Sequence, residues 1–88
     1  MGSIQRMKSR AMIIKMYTTP LCKYCKVAKD FFISKGIAFI EIDITKDQQA
    51  MKEMIKKSRQ MMVPVFDING QILVGFNQVK IQRALKVA

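Results

Sequence analysis

The chain has 88 residues, of which half are hydrophobic and a quarter are charged, so we expect one small folded domain of marginal independent stability. Two cysteines are too few for a disulfide-stapled secreted scaffold. There is neither a signal-peptide pattern nor an apolar run of membrane-spanning length, which predicts a cytoplasmic protein with no membrane partner. The net charge of +10 is spread over several segments without a nucleic-acid-binding motif, so we expect solvated lysine-rich faces and no nucleic-acid partner.

The chain begins with a polar, basic segment over residues 1–11. We interpret it as a disordered extension or a cloning remnant, because Met12 would make a natural start. A single domain over residues 12–88 follows. Its first stretch, residues 12–17, is a nearly continuous apolar run, which is typical of a central strand buried on both faces.

The only two cysteines, Cys22 and Cys25, follow that strand and open an amphipathic helical pattern. At the first turn of a helix, free backbone N–H groups and the helix dipole favour the thiolate form of Cys22. Lys23 and Lys26 add positive charge that acts in the same direction. Cys25, one turn further along, is expected to face the protein interior. We interpret the pair as a redox-active dithiol. Steering of acidic protein partners or anionic thiols toward Cys22 is the alternative to a basic charge that is only solvated.

Three alternatives compete with a redox dithiol. A structural disulfide that closes so short a loop stabilises a fold by about 2 kcal/mol at most. A zinc site needs four ligands, and a chain with two cysteines and no histidine would need a second chain or an external thiol. Two inert core cysteines are the third alternative, but they would not need these basic, helix-opening surroundings.

Helix and strand patterns alternate along the middle of the chain. The first helix is expected to run to about Lys35 and to end at Gly36. Its inner face carries Cys25, Ala28, Phe31 and Phe32, and its outer face carries Lys26, Lys29 and Asp30. A second strand follows over residues 39–44. Thr45 and Gln48 form a capping-box pattern that opens a second helix, whose apolar stripe is Ala50, Met51, Met54 and Ile55.

The last third of the chain predicts a β-hairpin and a final helix. Asn69-Gly70 separates two apolar runs and tolerates the positive φ angles of a type I′ turn. Asn77 is expected to cap a helix that carries Ile81, Ala84 and Leu85 on its apolar face. The complete order of elements is β-α-β-α-β-β-α.

This order, with a dithiol at the first strand-to-helix junction, resembles the thioredoxin fold and specifically the glutaredoxin family. The resemblance covers roughly residues 12–86. Its motifs are Tyr17-Thr18-Thr19-Pro20 before the cysteines, Met62-Val63-Pro64 before the third strand and Gly75-Phe76 after the fourth. It implies an α/β fold with a four-stranded mixed sheet flanked by three helices, and a cis peptide bond between Val63 and Pro64.

The same resemblance implies a monomeric dithiol–disulfide oxidoreductase that acts on disulfide-containing proteins. No metal or bound cofactor is expected besides the redox-active disulfide Cys22–Cys25. Cys22 is expected to attack the substrate disulfide and Cys25 to resolve the mixed disulfide. The implied substrate-binding residues are Thr19, Lys23, Tyr24, Met62, Val63, Pro64, Gly75 and Phe76. Thr18 and Thr19 are also candidates for capping the first helix.

Three departures from the family concern the electron donor. Glutathione-using glutaredoxins usually carry a lysine at the position of Thr19 and an acidic pair at those of Asn77 and Gln78. Without these charges we expect weak glutathione binding. Gly75-Phe76 instead resembles redoxins that thioredoxin reductase reduces, so the reductase is expected to be of that type rather than the glutathione system. Lys23 also replaces a proline that is usual between the cysteines.

A second class of function remains open beside catalysis. Some relatives in this fold dimerise through the first cysteine, Cys22 here, and carry an iron–sulfur cluster or a metal. Such a protein would be a carrier rather than an enzyme.

Overall fold

A computed structural model describes residues 13–87 and contains four strands and three helices in the predicted order. The predicted N-terminal extension and the expected start of the first strand at Met12 lie outside these residues. Across residues 13–87, none of the helices combines the length and the apolar character needed to cross a membrane. The elements are β1 (Ile14–Thr18), α1 (Lys23–Ser34), β2 (Ile40–Asp43), α2 (Gln48–Ser58), β3 (Val65–Ile68), β4 (Gln71–Val74) and α3 (Gln78–Val87).

The four strands form one mixed sheet in the order β2-β1-β3-β4. β1 pairs in parallel with β2 and antiparallel with β3, which continues through the hairpin into β4. In β1, the side chains of Ile14, Met16 and Tyr17 are buried. The prediction of a central strand covered on both faces is therefore confirmed.

The hydrophobic core has two parts, one on each face of the sheet. Alternate residues of β1 enter different parts, because side chains of a strand point to opposite faces in turn. Met16 packs with residues of α1 and α3, among them Phe32, whose ring centroid lies 5.9 Å from that of Phe66. Tyr17 packs with Met54 of α2 on the other face. The helices thus cover both sides of the sheet.

The hairpin turn and the last helix form where the sequence predicts them. Asn69 and Gly70 both have positive φ, 50° and 95°, as the two-residue turn requires. The side chain of Asp67 accepts a hydrogen bond from the Gly70 N–H at 2.8 Å and closes the turn. Asn77 Oδ1 accepts the N–H of Lys80 at 3.0 Å, so the predicted cap of α3 is confirmed.

The predicted capping box of α2 is wrong. Asp47 caps this helix, and its carboxylate accepts the N–H of Ala50 at 3.0 Å. The N–H and hydroxyl of Thr45 instead donate to Asp43 Oδ1, at 2.9 and 2.6 Å. Because Asp43 lies two residues before Thr45, it forms a local turn that withdraws the threonine from the helix end.

Lys57 ties α2 to the sheet through a partly buried group of polar side chains. Its ammonium donates to Asp67 at 2.6 Å and to the hydroxyl of Tyr17 at 3.2 Å, and Tyr17 donates to Glu53 at 2.7 Å. Burial would lower the pKa of Lys57, but the hydrogen bonds to Asp67 and Tyr17 and the charges of these two groups together outweigh it, and the pKa is raised. Burial would raise the pKa of Asp67, but the hydrogen bonds from Lys57 and the Gly70 N–H keep that pKa below its ordinary value.

Replacing Asp67 by asparagine should lower the free energy of unfolding at neutral pH by about 1.5–3 kcal/mol, since a charge-assisted hydrogen bond is lost. The folded-state pKa of Asp67 lies below the unfolded value of about 3.9, so the carboxylate stabilises the fold above that pH. This contribution is lost as the pH falls through the folded-state pKa. The stability difference between the two proteins should therefore shrink in acid. Urea unfolding at neutral and acidic pH measures it.

A control for Asp67→Asn is Lys29→Gln, which removes only the ion pair of Lys29 with Glu41, in which the two side chains are 36% and 37% exposed. An exposed pair contributes little, so this control should lose less than about 1 kcal/mol. Equal stability of Asp67→Asn and the wild type at neutral pH would contradict the assigned role of Asp67, and so would a difference that does not change with pH.

Candidate active site

The two cysteines lie at the start of α1 and form a disulfide, with their Cα atoms 5.2 Å apart. Cys22 is itself the N-cap, with an extended backbone, and its sulfur accepts the N–H of Cys25 at 3.1 Å. Cys22 is half-buried, whereas Cys25 is 2% exposed and packs toward the core. The two sulfurs therefore differ in access, and the more accessible one receives a helix-terminal hydrogen bond.

The two threonines before the cysteines do not cap α1, so that expectation is wrong. The hydroxyl of Thr18 is buried and donates to Glu41 of β2 at 3.1 Å. Thr19 contributes only its carbonyl oxygen, which accepts the N–H of Cys22 at 3.2 Å. Because the sulfur of Cys22 already occupies the capping position, no hydroxyl is needed there. Sequence reasoning missed Glu41, since its contact with Thr18 joins two strands and leaves no local pattern.

The peptide bond between Val63 and Pro64 is cis. Tyr17 pairs with Val65, so Pro64 lies beside Thr18, at the end of the sheet that carries the dithiol. The carbonyl of Pro64 accepts the N–H of Gly75 at 2.8 Å, which places the end of β4 next to it. The sheet register thus brings three separate sequence motifs to one end of the sheet.

Gln60 holds the loop before the cis proline in a way that the sequence did not predict. Its side-chain oxygen accepts the N–H of Met62 at 2.8 Å, and its amide nitrogen donates to the carbonyl of Met62 at 3.1 Å. The same nitrogen donates to the hydroxyl of Ser58 at 3.0 Å. The Gln60 side chain therefore satisfies both backbone groups of Met62, as a neighbouring strand would. No periodicity or motif signals such a contact, because it depends on the path of the loop.

Val63 differs from its neighbour Met62. Within residues 13–87 neither the N–H nor the carbonyl of Val63 makes a hydrogen bond. Val63 is half-buried, and Met61 and Met62 beside it are 68% and 74% exposed. The loop therefore presents the unpaired backbone of Val63 next to exposed apolar side chains.

The other predicted site residues have different degrees of exposure. Lys23 and Tyr24 are exposed on the first turn of α1. Phe76 is half-buried and packs edge-on against Phe31, with ring centroids 5.8 Å apart. Gly75 has a φ of 79°, a left-handed conformation that favours glycine. Over the described part of the chain, no three His, Cys, Asp or Glu side chains are grouped to hold a metal ion.

A model of the glutaredoxin family matches residues 14–73, which include the dithiol and the cis proline. The chain belongs to the glutaredoxin family. It is a dithiol–disulfide oxidoreductase with a thioredoxin-like fold, as the sequence predicted.

Similar proteins support this assignment over most of the chain. The chain is 39% identical over 74 residues to an uncharacterized glutaredoxin-like 8.6 kDa protein in the rubredoxin operon of Clostridium pasteurianum, covering 84% of this chain and 99% of that protein. It is 37% identical over 62 residues to glutaredoxin 3 of Escherichia coli, covering 70% of this chain and 75% of that protein. The crystal structure of the thioredoxin-like protein BC3987 superposes with a TM-score of 0.76 at 30% identity, covering 81% of this chain and 97% of that one.

Replacing Gln60 by alanine should release the backbone of Met62. A hydrogen bond is worth about 0.5–1.5 kcal/mol net, so the Met62 amide should exchange with deuterium roughly two- to tenfold faster. NMR-detected hydrogen exchange measures this rate. Gln49→Ala, at an exposed site on α2, is the matched control and should leave Met62 unchanged. An unchanged Met62 rate in Gln60→Ala would show that the Gln60 contact does not restrain the loop.

Proposed function

We propose that this chain reduces disulfides of protein substrates through Cys22 and Cys25 and is recharged by a donor of the thioredoxin-reductase type. The observation that carries the proposal is the pair itself: an accessible Cys22 sulfur that accepts a helix-terminal N–H at 3.1 Å, beside a buried Cys25. This asymmetry suits an attacking and a resolving thiol. We also propose that the protein acts as a monomer in the reducing cytoplasm.

The reaction begins with the reduced dithiol. The Cys22 thiolate attacks one sulfur of the substrate disulfide, forms a mixed disulfide and expels the other substrate sulfur as a thiolate, which takes up a proton. Cys25, after losing its proton, attacks the Cys22 sulfur and displaces the second substrate thiol. The substrate gains two electrons and two protons, and the enzyme is left with the Cys22–Cys25 disulfide. A reductase must then return two electrons to that disulfide.

The start of α1 favours the thiolate that this reaction needs. A helix terminus stabilises a negative charge by about 0.3–1 kcal/mol, so the dipole alone makes only a modest contribution to thiolate stability. The direct hydrogen bond from the Cys25 N–H and the exposed ammonium groups of Lys23 and Lys26 add to it.

Val63 is proposed as the position where an extended substrate pairs with the enzyme. Its N–H and carbonyl are unpaired within the described residues, so a substrate backbone can bond to both as an added strand does. Because Gln60 occupies both backbone groups of Met62, that pairing is directed to Val63. The exposed side chains of Met61, Met62 and Tyr24 supply an adaptable apolar surface around it.

The donor assignment rests on three side chains. Thr19 has no positive charge for a glutathione carboxylate, and Asn77 and Gln78 have no negative charge for its ammonium group. The oxygen of Asn77 is already used by the cap of α3, and Gln78 is exposed at the first turn of that helix. Each absent charge-assisted hydrogen bond is worth roughly 1.5–3 kcal/mol before solvent screening, so glutathione should bind weakly.

The two cysteines should respond differently to replacement. Cys22→Ser should abolish disulfide reduction, because no attacking thiolate remains. Cys25→Ser should accumulate the mixed disulfide with substrate, which intact-protein mass spectrometry detects. In the reduced wild type, iodoacetamide should alkylate Cys22 faster than Cys25, since only Cys22 is accessible. Equal alkylation rates would contradict the two assigned roles.

Oxidised wild-type protein should consume NADPH faster with thioredoxin reductase than with glutathione and glutathione reductase. The variant Thr19→Lys/Asn77→Asp/Gln78→Asp should improve glutathione-linked kcat/KM roughly five- to thirtyfold, or about 1–2 kcal/mol after screening. Aspartate at position 77 can still cap α3, so the fold is preserved.

The acidic part of that variant has a matched control at the opposite end of the sheet. Asn69→Asp/Gln71→Asp adds the same charge around the hairpin turn and should leave glutathione turnover unchanged. Efficient glutathione turnover by the wild type would return the donor to the glutathione system. A triple variant no better than the wild type would reject the role given to these three positions.

A further inference from the structure

A cleft of about 520 Å³ opens between α1 and the end of β2. Both Cys22 and Cys25 border it, so a group bound there lies next to the reacting sulfurs. Its walls include none of the residues of the Met61–Pro64 loop, which makes it distinct from the proposed pairing position at Val63. The charged side chains that line it are Lys26, Lys29, Asp30, Glu41, Asp43 and Lys46.

Two of the three acidic groups in the cleft are already committed to neighbours. Glu41 lies 3.2 Å from the ammonium of Lys29 and accepts the hydroxyl of Thr18 at 3.1 Å. Asp43 accepts the hydroxyl and the N–H of Thr45, and the hydroxyl contact is the main reason why its pKa lies below the ordinary value. Both carboxylates are thus already bonded within the protein.

Two ammonium groups in the cleft, those of Lys26 and Lys46, have no such bonded partner in the part of the chain that the structure describes. Among residues 13–87, no carboxylate lies within 4 Å of the ammonium of Lys26 or of Lys46. Lys46 does lower the pKa of Asp43 slightly through its charge, so that lysine is partly balanced. Asp30 is the remaining acidic group, and it makes no ion pair with the described residues. The three lysines and three carboxylates of the lining sum to zero formal charge, but Lys26 and Lys46 keep ammonium N–H donors beside the dithiol that no carboxylate among residues 13–87 occupies.

We propose that this cleft receives a carboxylate of the substrate, an Asp or Glu side chain beside the reacting cysteine, through Lys26 and Lys46. The inference rests on the proposed function and narrows its substrate class to disulfides flanked by acidic residues. A substrate cysteine joined to Cys22 has chain on both sides. One side pairs at Val63 and the other reaches the cleft, where the two ammonium groups select its charge.

Two synthetic peptides test the proposal. Each contains one cysteine as a mixed disulfide with neutral 2-mercaptoethanol, and they differ only in having Glu or Gln on both sides of the cysteine. The fully reduced protein is mixed with each peptide, and acid-quenched samples are resolved by mass spectrometry to obtain second-order rate constants. No reductase is needed, so the result is independent of the electron donor. The Glu peptide should react roughly two- to tenfold faster, as expected for two exposed ion pairs.

The ratio of the two rate constants separates the cleft from other effects of charge. Any influence of Lys26 on the cysteine pKa values cancels in this ratio, because it acts on both peptides alike. Lys26→Ala/Lys46→Ala should bring the ratio close to one. Lys80→Ala/Lys86→Ala removes the same charge from exposed sites on α3 and should retain the wild-type ratio.

Three outcomes would overturn the cleft proposal. The first is that the wild type reacts equally fast with both peptides. The second is that the rate ratio of Lys26→Ala/Lys46→Ala stays at the wild-type value. The third is that the ratio falls as far in Lys80→Ala/Lys86→Ala as in Lys26→Ala/Lys46→Ala. The last outcome would assign the preference to overall charge. If neither peptide is reduced at all, the disulfide-reductase function itself fails, which is a different result from equal reduction of both.

Discussion

The buried pairing of β1 with strands on both sides determines the position of every part of the active site. Tyr17 is paired with Ile42 in β2 and with Val65 in β3, and its side chain is fully buried. A slip of one residue would turn the buried side chains of β1 to the opposite faces, so the register is strongly specified. That register sets Thr18 beside Pro64, and the pairing of β3 with β4 sets Pro64 beside Gly75. The dithiol and the cis-proline loop are neighbours because the strands that carry them cannot shift.

The different environments of the two cysteines follow from helix geometry. Cys25 lies on the face of α1 that also carries Ala28 and Phe32, and all three side chains are buried. This face is anchored in the core, and Cys22 lies three residues earlier, at the N-terminus of the helix. Its sulfur accepts the backbone hydrogen bond that a side-chain oxygen usually accepts at an N-cap. One secondary-structure element thus provides a shielded thiol and an accessible, hydrogen-bonded thiol at a distance that allows a disulfide. The chemistry depends on packing as much as on the cysteine spacing.

Local sequence patterns predicted the elements well, because each depends on residues close in the chain. The Asn69-Gly70 turn, the apolar face of α1 and the Asn77 cap belong to this class. Contacts between distant segments, or along an irregular loop, left no such pattern. Thr18 meets Glu41 across two strands, and Gln60 binds the backbone of Met62 in a loop. The cis bond before Pro64 was predicted only from the family resemblance. Only about 5% of X–Pro bonds in folded proteins are cis, so the residues alone would have predicted a trans bond.

The charge of the chain acts on the site through few of its basic residues. At physiological ionic strength the Debye length is about 8 Å, so exposed lysines beyond that distance are largely screened from a substrate at Cys22. Lys26 follows Cys25 directly, and Lys46 lines the same cleft as both sulfurs. Charged groups at a contact mainly set the partner and the association rate, whereas flexible methionine side chains, such as those proposed for substrate contact at Met61 and Met62, fit varied shapes. A general docking surface and a charged cleft on different sides of one dithiol would therefore let this small domain accept many folded partners and still prefer some disulfides over others.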